Sequence, residues 1–144
     1  MTSRSLHCFW LYPCLLLAAC STISKFDQYS YTQSTSLKVD ALNLMDRATE
    51  PYDQHQAEVL KIKSDLDKIY EYEKNRPKNQ VTEKMWVVIR DSTGHLFGGF
   101  VKRWQKEGKL DAVFIQEART LVSQSFDQIS QLESGKIKPA QVTN

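Results

Sequence analysis

The sequence predicts an all-α fold, a small antiparallel helical bundle of three long helices plus one or two short ones. Three observations lead there. Apolar residues recur at spacings of three and four through long segments, the stripe of helices that pack on one face. Pro51, Gly94, Gly108 and Gly135 fall between those segments, where helices stop. The one stretch with strand-like content, Met85-Trp86-Val87-Val88-Ile89, has no second convincing strand to satisfy its backbone, so a helix is expected over residues 82–91.

The first helix is expected within residues 26–49, where Leu37, Ala41, Leu44, Met45 and Ala48 line one face. Its opening, residues 29–36, is polar and made of poor helix formers, so an extended spacer over 26–36 is the competing expectation. Glu50-Pro51 ends the element, because the residue before proline is pushed out of the α region. Asp53 and Gln56 read as a capping box that opens a second helix to about residue 75. Val59, Ile62, Leu66, Ile69 and Tyr70 mark its inner face, while Glu58, Lys61, Lys63, Asp65, Asp67 and Lys68 alternate in charge on a solvated one. Residues 76–79 form a loop.

Thr82-Glu83 opens the third element and Gly94 closes it. Leu96, Phe97, Phe100, Val101 and Trp104 place a fourth helix over residues 96–107, capped by Gly108. Gly98-Gly99 inside it costs about 1 kcal/mol each relative to alanine, so close backbone packing is expected there. The last helix, residues 111–134, is the plainest. Ile115, Val122 and Ile129 recur every seven residues, Ala118 and Leu132 fill the other seam, and Phe114, Leu121 and Phe126 widen it. Gly135 stops it, and residues 136–144 read as a flexible polar tail.

Ahead of this helical domain, placed at residues 26–135, lies a different kind of sequence. Arg4 is the only charge in residues 1–19, the run from Leu6 to Leu17 is largely apolar, and Ala18 and Ala19 precede Cys20. A basic start, a short apolar core and a small-residue exit describe a secretory signal peptide. A membrane-spanning helix needs about 20 apolar residues; this run is shorter and Pro13 interrupts it.

Leu17-Ala18-Ala19-Cys20 resembles the lipobox of bacterial lipoproteins. That resemblance covers residues 1–20 alone and implies cleavage between Ala19 and Cys20. It also implies a diacylglycerol thioether on the Cys20 sulfur and, in diderm bacteria, an acyl chain such as palmitate on its amine. Residues 20–25 then form a lipidated tether. By the same resemblance, Ser21, where many inner-membrane lipoproteins carry aspartate, implies an outer-membrane lipoprotein facing the periplasm, with the inner membrane or the cell surface as alternatives.

Basic and acidic side chains nearly balance, 19 against 17, so no global field draws nucleic acid or an acidic substrate. Cys8 and Cys14 fall within the signal, and Cys20 carries the lipid, so no disulfide is expected in the helical domain. His55 stands with Asp53 and Glu58, for which capping and surface placement is the expectation. The paired Glu-x-x-His motifs of a carboxylate-bridged metal site do not occur, and no phosphate loop, Gly-x-Ser-x-Gly or HExxH is present. No metal, cofactor or catalytic residue is therefore assigned. Tyr70-Glu71-Tyr72-Glu73 reads as a helix face with one tyrosine in the core. Lys102, Arg103, Trp104, Lys106 and Lys109 form the most suggestive cluster, a surface for anionic head groups or an acidic partner. Its competing reading has Trp104 facing inward while the lysines solvate.

The function expected from these residues is that of a membrane-anchored, non-enzymatic interaction or structural module of the cell envelope. Its partners would be the membrane, through lipid on Cys20, and an envelope protein, with no nucleic acid. The alternatives are an envelope inhibitor or enzyme with a site between helices, and a carrier of an apolar ligand.

Overall fold

Asp27 opens the first helix with its carboxylate, which accepts from the Ser30 amide at 2.9 Å, and the chain then stays helical for most of its length. A computed structural model describes residues 26–142; the expected signal peptide, the lipobox-like Leu17-Ala18-Ala19-Cys20 and the expected tether lie outside the described residues. Five helices form: α1 (Gln28–Asp46), α2 (Tyr52–Lys74), α3 (Gln80–Arg90), α4 (Phe97–Glu107) and α5 (Ala112–Glu133). Single 3₁₀ turns stand at Arg47–Thr49 and, in the expected tail, at Pro139–Gln141. There is no strand among the described residues.

The spacer alternative for residues 26–36 does not hold. Ser30 and Ser34 are fully buried, and they continue the 37, 41, 44, 48 seam of α1 back toward its start. The capping box at Asp53 and Gln56 does not form either. Pro51 is the N-cap of α2, with no side-chain cap, and the Tyr52 amide donates to the Gly108 carbonyl at 2.8 Å. A neighbouring main chain does the work assigned to a side chain.

The bundle runs up, down, up, down. α1 packs against α5 and α2, and the third member of the ring is shared by α3 and α4, which follow one another along α2. The break between them is enforced by contact. A Cβ on Gly98 would lie 2.3 Å from the Arg90 carbonyl oxygen, and one on Gly99 would lie 1.9 Å from that of Gly94. The glycines expected to pack closely do so, Gly98 against the end of α3 and Gly99 against the connection that follows it. Gly108 (φ +77°) and Gly135 (φ +72°) take left-handed conformations after α4 and α5, as helix-ending glycines do.

Val59, Ile62, Leu66, Ile69, Trp86, Ile89, Phe97, Phe100, Ile115, Val122, Phe126 and Ile129 are buried in one continuous core. Trp86 meets Phe126 edge-on with centroids 5.8 Å apart, and Phe100 stacks on Phe114 at 6.0 Å. The apolar run at 85–89 winds around a helix and does not lie in a sheet. Trp86 and Ile89 face the core, while Val87 and Val88 are exposed. Leu121, expected to widen the α5 seam, is also exposed.

The two ends of the bundle differ. At the far end, where α1 stops and α2 starts, the Leu110 amide donates to the Ala48 carbonyl at 2.8 Å. Beside it the Trp104 indole donates to the Glu50 carbonyl at 3.0 Å. The near end gathers the start of α1, the α2–α3 connection and the close of α5, and its interior is polar.

Candidate functional site

The helical seams that carry leucine and isoleucine through the middle of the bundle carry charge at the near end. On α2 the buried positions run Val59, Ile62, Leu66, Ile69 and then Glu73; on α5 they run Val122, Phe126 and Ile129, then Ser130, Leu132 and Glu133. Both carboxylates are almost wholly removed from solvent, and between them lies the Arg76 guanidinium. Its Nη1 donates to Glu73 Oε2 at 2.7 Å and to Glu133 Oε2 at 2.8 Å.

Neutral groups complete the cluster. Ser30 donates its hydroxyl to Glu73 Oε1, and the Asn79 amide donates to Glu73 Oε2. Thr82 donates to Glu133 Oε1 at 2.9 Å, and Ser34 and Ser130 share a hydrogen bond of 3.0 Å beside them. Asn79 Oδ1 is buried without a protein partner among the described residues. The reason for this density is burial itself, since an ionised carboxylate in a core is tolerated only with a counter-charge and several donors.

Burial pushes the Glu133 carboxyl above its ordinary value, and the hydrogen bond from Arg76 only partly offsets that. Burial also works against the Arg76 cation, but its hydrogen bonds to Glu133 and Glu73 outweigh it and raise the guanidinium's pKa. Two carboxylates thus share one cation, and at Glu133 burial favours the protonated form. Chemically the cluster can lock four chain segments together and exchange a proton at Glu133.

Just outside it, the Tyr72 hydroxyl donates to Asp27 Oδ2 at 2.6 Å. That bond, with some burial, lifts the Tyr72 phenol to about 12; the same bond and the one from the Ser30 amide hold Asp27 below the usual carboxylate value against the effect of burial. Tyr72 is therefore at the rim, and the core member of Tyr70-Glu71-Tyr72-Glu73 is Glu73; Tyr70 is half-buried beneath the Arg90 guanidinium, 4.2 Å from its ring centroid.

The residues singled out in the sequence lie at the other end. Trp104 is fully buried, edge-on to Tyr52 at 5.5 Å, so it has no face to offer a head group. Lys102, Arg103, Lys106 and Lys109 are exposed. Arg103 lies over the Phe114 ring at 3.9 Å and pairs with Glu107 at 2.9 Å, which turns it back onto its own protein. The inward reading of Trp104 is the one the structure adopts.

His55 is buried, not at the surface as expected. Its Nε2 lies 2.7 Å from Glu50 Oε2 and its Nδ1 3.3 Å from Glu58 Oε1, with the ring against Trp104. It continues the α2 seam one step before Val59, at the same three- and four-residue spacing. Asp53 takes no part and is exposed. No group of three or more His, Cys, Asp or Glu side chains among the described residues is arranged to hold a metal ion. A small cleft of about 80 Å³ lies where α3 breaks from α4, lined by Lys63, Leu66, Asp67, Arg90, Phe97 and Gly98.

No helix among the described residues is long and apolar enough to cross a membrane. No family model, curated protein or solved structure matches the chain.

Proposed function

We propose that this chain is a lipid-anchored envelope protein whose helical domain is a non-enzymatic contact module held at a membrane surface. The observation that carries the proposal is Leu17-Ala18-Ala19-Cys20 at the end of a short apolar run behind Arg4. Several acyl chains, at roughly 0.8 kcal/mol per buried methylene, make a lasting anchor. The fold fits a module of this kind. Helix α1 is capped at Asp27, seven positions beyond Cys20, so the body would stand close to whatever holds that cysteine. The buried polar groups of the near end bond chiefly to one another, which suits a rigid body that works through its outer faces.

The test is acyl labelling of the full chain in a diderm bacterium. Cys20→Ala is expected to abolish palmitate incorporation and to leave the precursor uncleaved. Labelling that survives the substitution overturns the anchor, and with it the module's assignment to a membrane.

A further inference from the structure

The near end carries exposed aromatic rings that the interior does not use. Phe26, Tyr29, Tyr31 and Tyr72 are each between 36% and 57% exposed. They contact one another in pairs: Tyr29 meets Tyr72 edge-on with centroids 4.7 Å apart, and Phe26 meets Tyr31 at 6.2 Å. Scattered single apolar residues are normal on a surface, but grouped rings at one pole are not.

The connections at the same end are basic. Lys74 closes α2, Lys78 stands in the α2–α3 connection in a left-handed conformation (φ +57°), and Lys136 and Lys138 follow α5; all four are exposed. Of the four, Lys74 is paired with Glu71 at 3.6 Å, and Asp27, which accepts from Tyr72, keeps its negative charge, so Lys78, Lys136 and Lys138 carry most of the basic character. Tyrosines grouped with lysines are the side chains that settle at the boundary between head groups and water.

The position of the pole matters as much as its chemistry. Phe26 lies six residues beyond Cys20. At no more than about 3.6 Å per residue, that segment spans at most about 22 Å. The basic group at 102–109 sits at the opposite pole, and the 19 residues of α1 put roughly 28 Å between the poles at 1.5 Å per residue.

We infer that the near end, through Phe26, Tyr29, Tyr31 and Tyr72 and the lysines around them, is the face that rests on an anionic lipid surface. The domain then stands upright, with residues 102–109 pointing away. This rests on the anchor proposed above, and it goes beyond that proposal by naming the face and the orientation. Attachment alone leaves a body on a short leash free to tumble; the aromatic and basic pole gives one orientation an advantage. Because the lysines are exposed, their share of that advantage falls as salt is raised.

The experiment uses the full chain, expressed and lipidated in a diderm bacterium and reconstituted into vesicles of neutral and anionic phospholipid. A single environment-sensitive fluorophore is placed at Tyr29→Cys, at Lys78→Cys or at Lys106→Cys, and nitroxide-bearing lipids serve as quenchers. Lys78→Cys guards against a Tyr29 variant that folds poorly. Quenching and a blue shift at positions 29 and 78, with neither at 106, support the proposal. So does their weakening when Lys74, Lys136 and Lys138 become glutamine. Protein that floats with the vesicles but shows no quenching at the near end, or equal quenching at 106, overturns the orientation and leaves the anchor standing. Protein that fails to float overturns the anchor and the orientation together.

Discussion

Replacing Arg76 with leucine is the most searching test of the near-end cluster. The guanidinium reaches Glu73 at 2.7 Å and Glu133 at 2.8 Å, and neither carboxylate has water to turn to. Removing one partner of a buried ion pair costs about 3–5 kcal/mol, because the other charge stays behind. That is a large part of the roughly 5–15 kcal/mol that holds a domain of this kind folded. At about 4 °C per kcal/mol, the melting temperature of Arg76→Leu is expected to fall by about 12–20 °C.

The loss has a pH signature whose sign follows from Glu133. Without Arg76, Glu133 keeps only the hydrogen bond from Thr82, so it is expected to take a proton more readily. Its carboxyl is already raised above the ordinary 4.5 by burial, and losing the cation raises it further. A carboxyl raised in the folded state contributes stability that is full below about 4.5 and is lost as pH rises through the folded value. The deficit of the variant is therefore smallest in mild acid and grows toward neutrality. Glu133→Gln keeps the shape and leaves one carboxylate to one guanidinium, so it costs only about 1 kcal/mol and flattens the profile. Urea unfolding followed by circular dichroism at pH 5 and pH 8 reads all three proteins. An Arg76→Leu variant within about 1 kcal/mol of the parent, or equally weakened at both pH values, would refute a cluster held by charge.

Four further variants test other parts of the structure. Ile129 is fully buried, so Ile129→Ala is expected to cost about 2–5 kcal/mol by urea unfolding, and Val122→Asp, which buries a lone charge, to prevent folding. Gly99→Ala sets a methyl 1.9 Å from the Gly94 carbonyl oxygen, so it should lose about 1–3 kcal/mol where an open helical site would gain from alanine; an unchanged melting temperature would mean that the α3–α4 break relaxes freely. Tyr72, lifted to about 12 by Asp27, contributes stability that is full below pH 10 and is lost as pH rises toward 12, and Tyr72→Phe should remove that alkaline loss in a pH series of thermal melts.

The helices were legible because their period is written in apolar residues. Leu37, Ala41, Leu44, Val59, Ile62, Leu66, Val122 and Ile129 were expected inside and are inside. The lack of a strand partner predicts a helix over residues 82–91 although β-branched content points elsewhere, and the helix forms at Gln80–Arg90, with Asp91 already extended. What escaped was anything polar on the same stripe. Glu73, Glu133, Ser30, Ser34 and His55 occupy seam positions, yet a glutamate or serine on a helix usually faces water, and no residue type announces the exception. The signal was there in the spacing, because 59, 62, 66, 69 leads by three- and four-residue steps to 73. The capping box at Asp53 failed for another reason. The partner of the α2 start is the Gly108 carbonyl, more than fifty residues away, and no local rule sees it. The basic group at 102–109 stands out by composition, whereas the pole on which it falls depends on the order of helices in the ring.

The unequal ends of the bundle have a thermal consequence. Around the far end the larger share of cohesion comes from Tyr52, Phe100, Trp104 and Leu110, buried apolar bulk whose contribution fades as water is cooled, with the His55 and main-chain hydrogen bonds beside it. At the near end it comes from a guanidinium, two carboxylates and the hydroxyls around them, which do not share that dependence. Cooling thus loosens the far pole more than the near one. The same four rods are bound in the cold chiefly at the end where the chain enters, and slow exchange of backbone amide hydrogens should retreat toward Ser30, Glu73, Thr82 and Glu133 as the temperature drops.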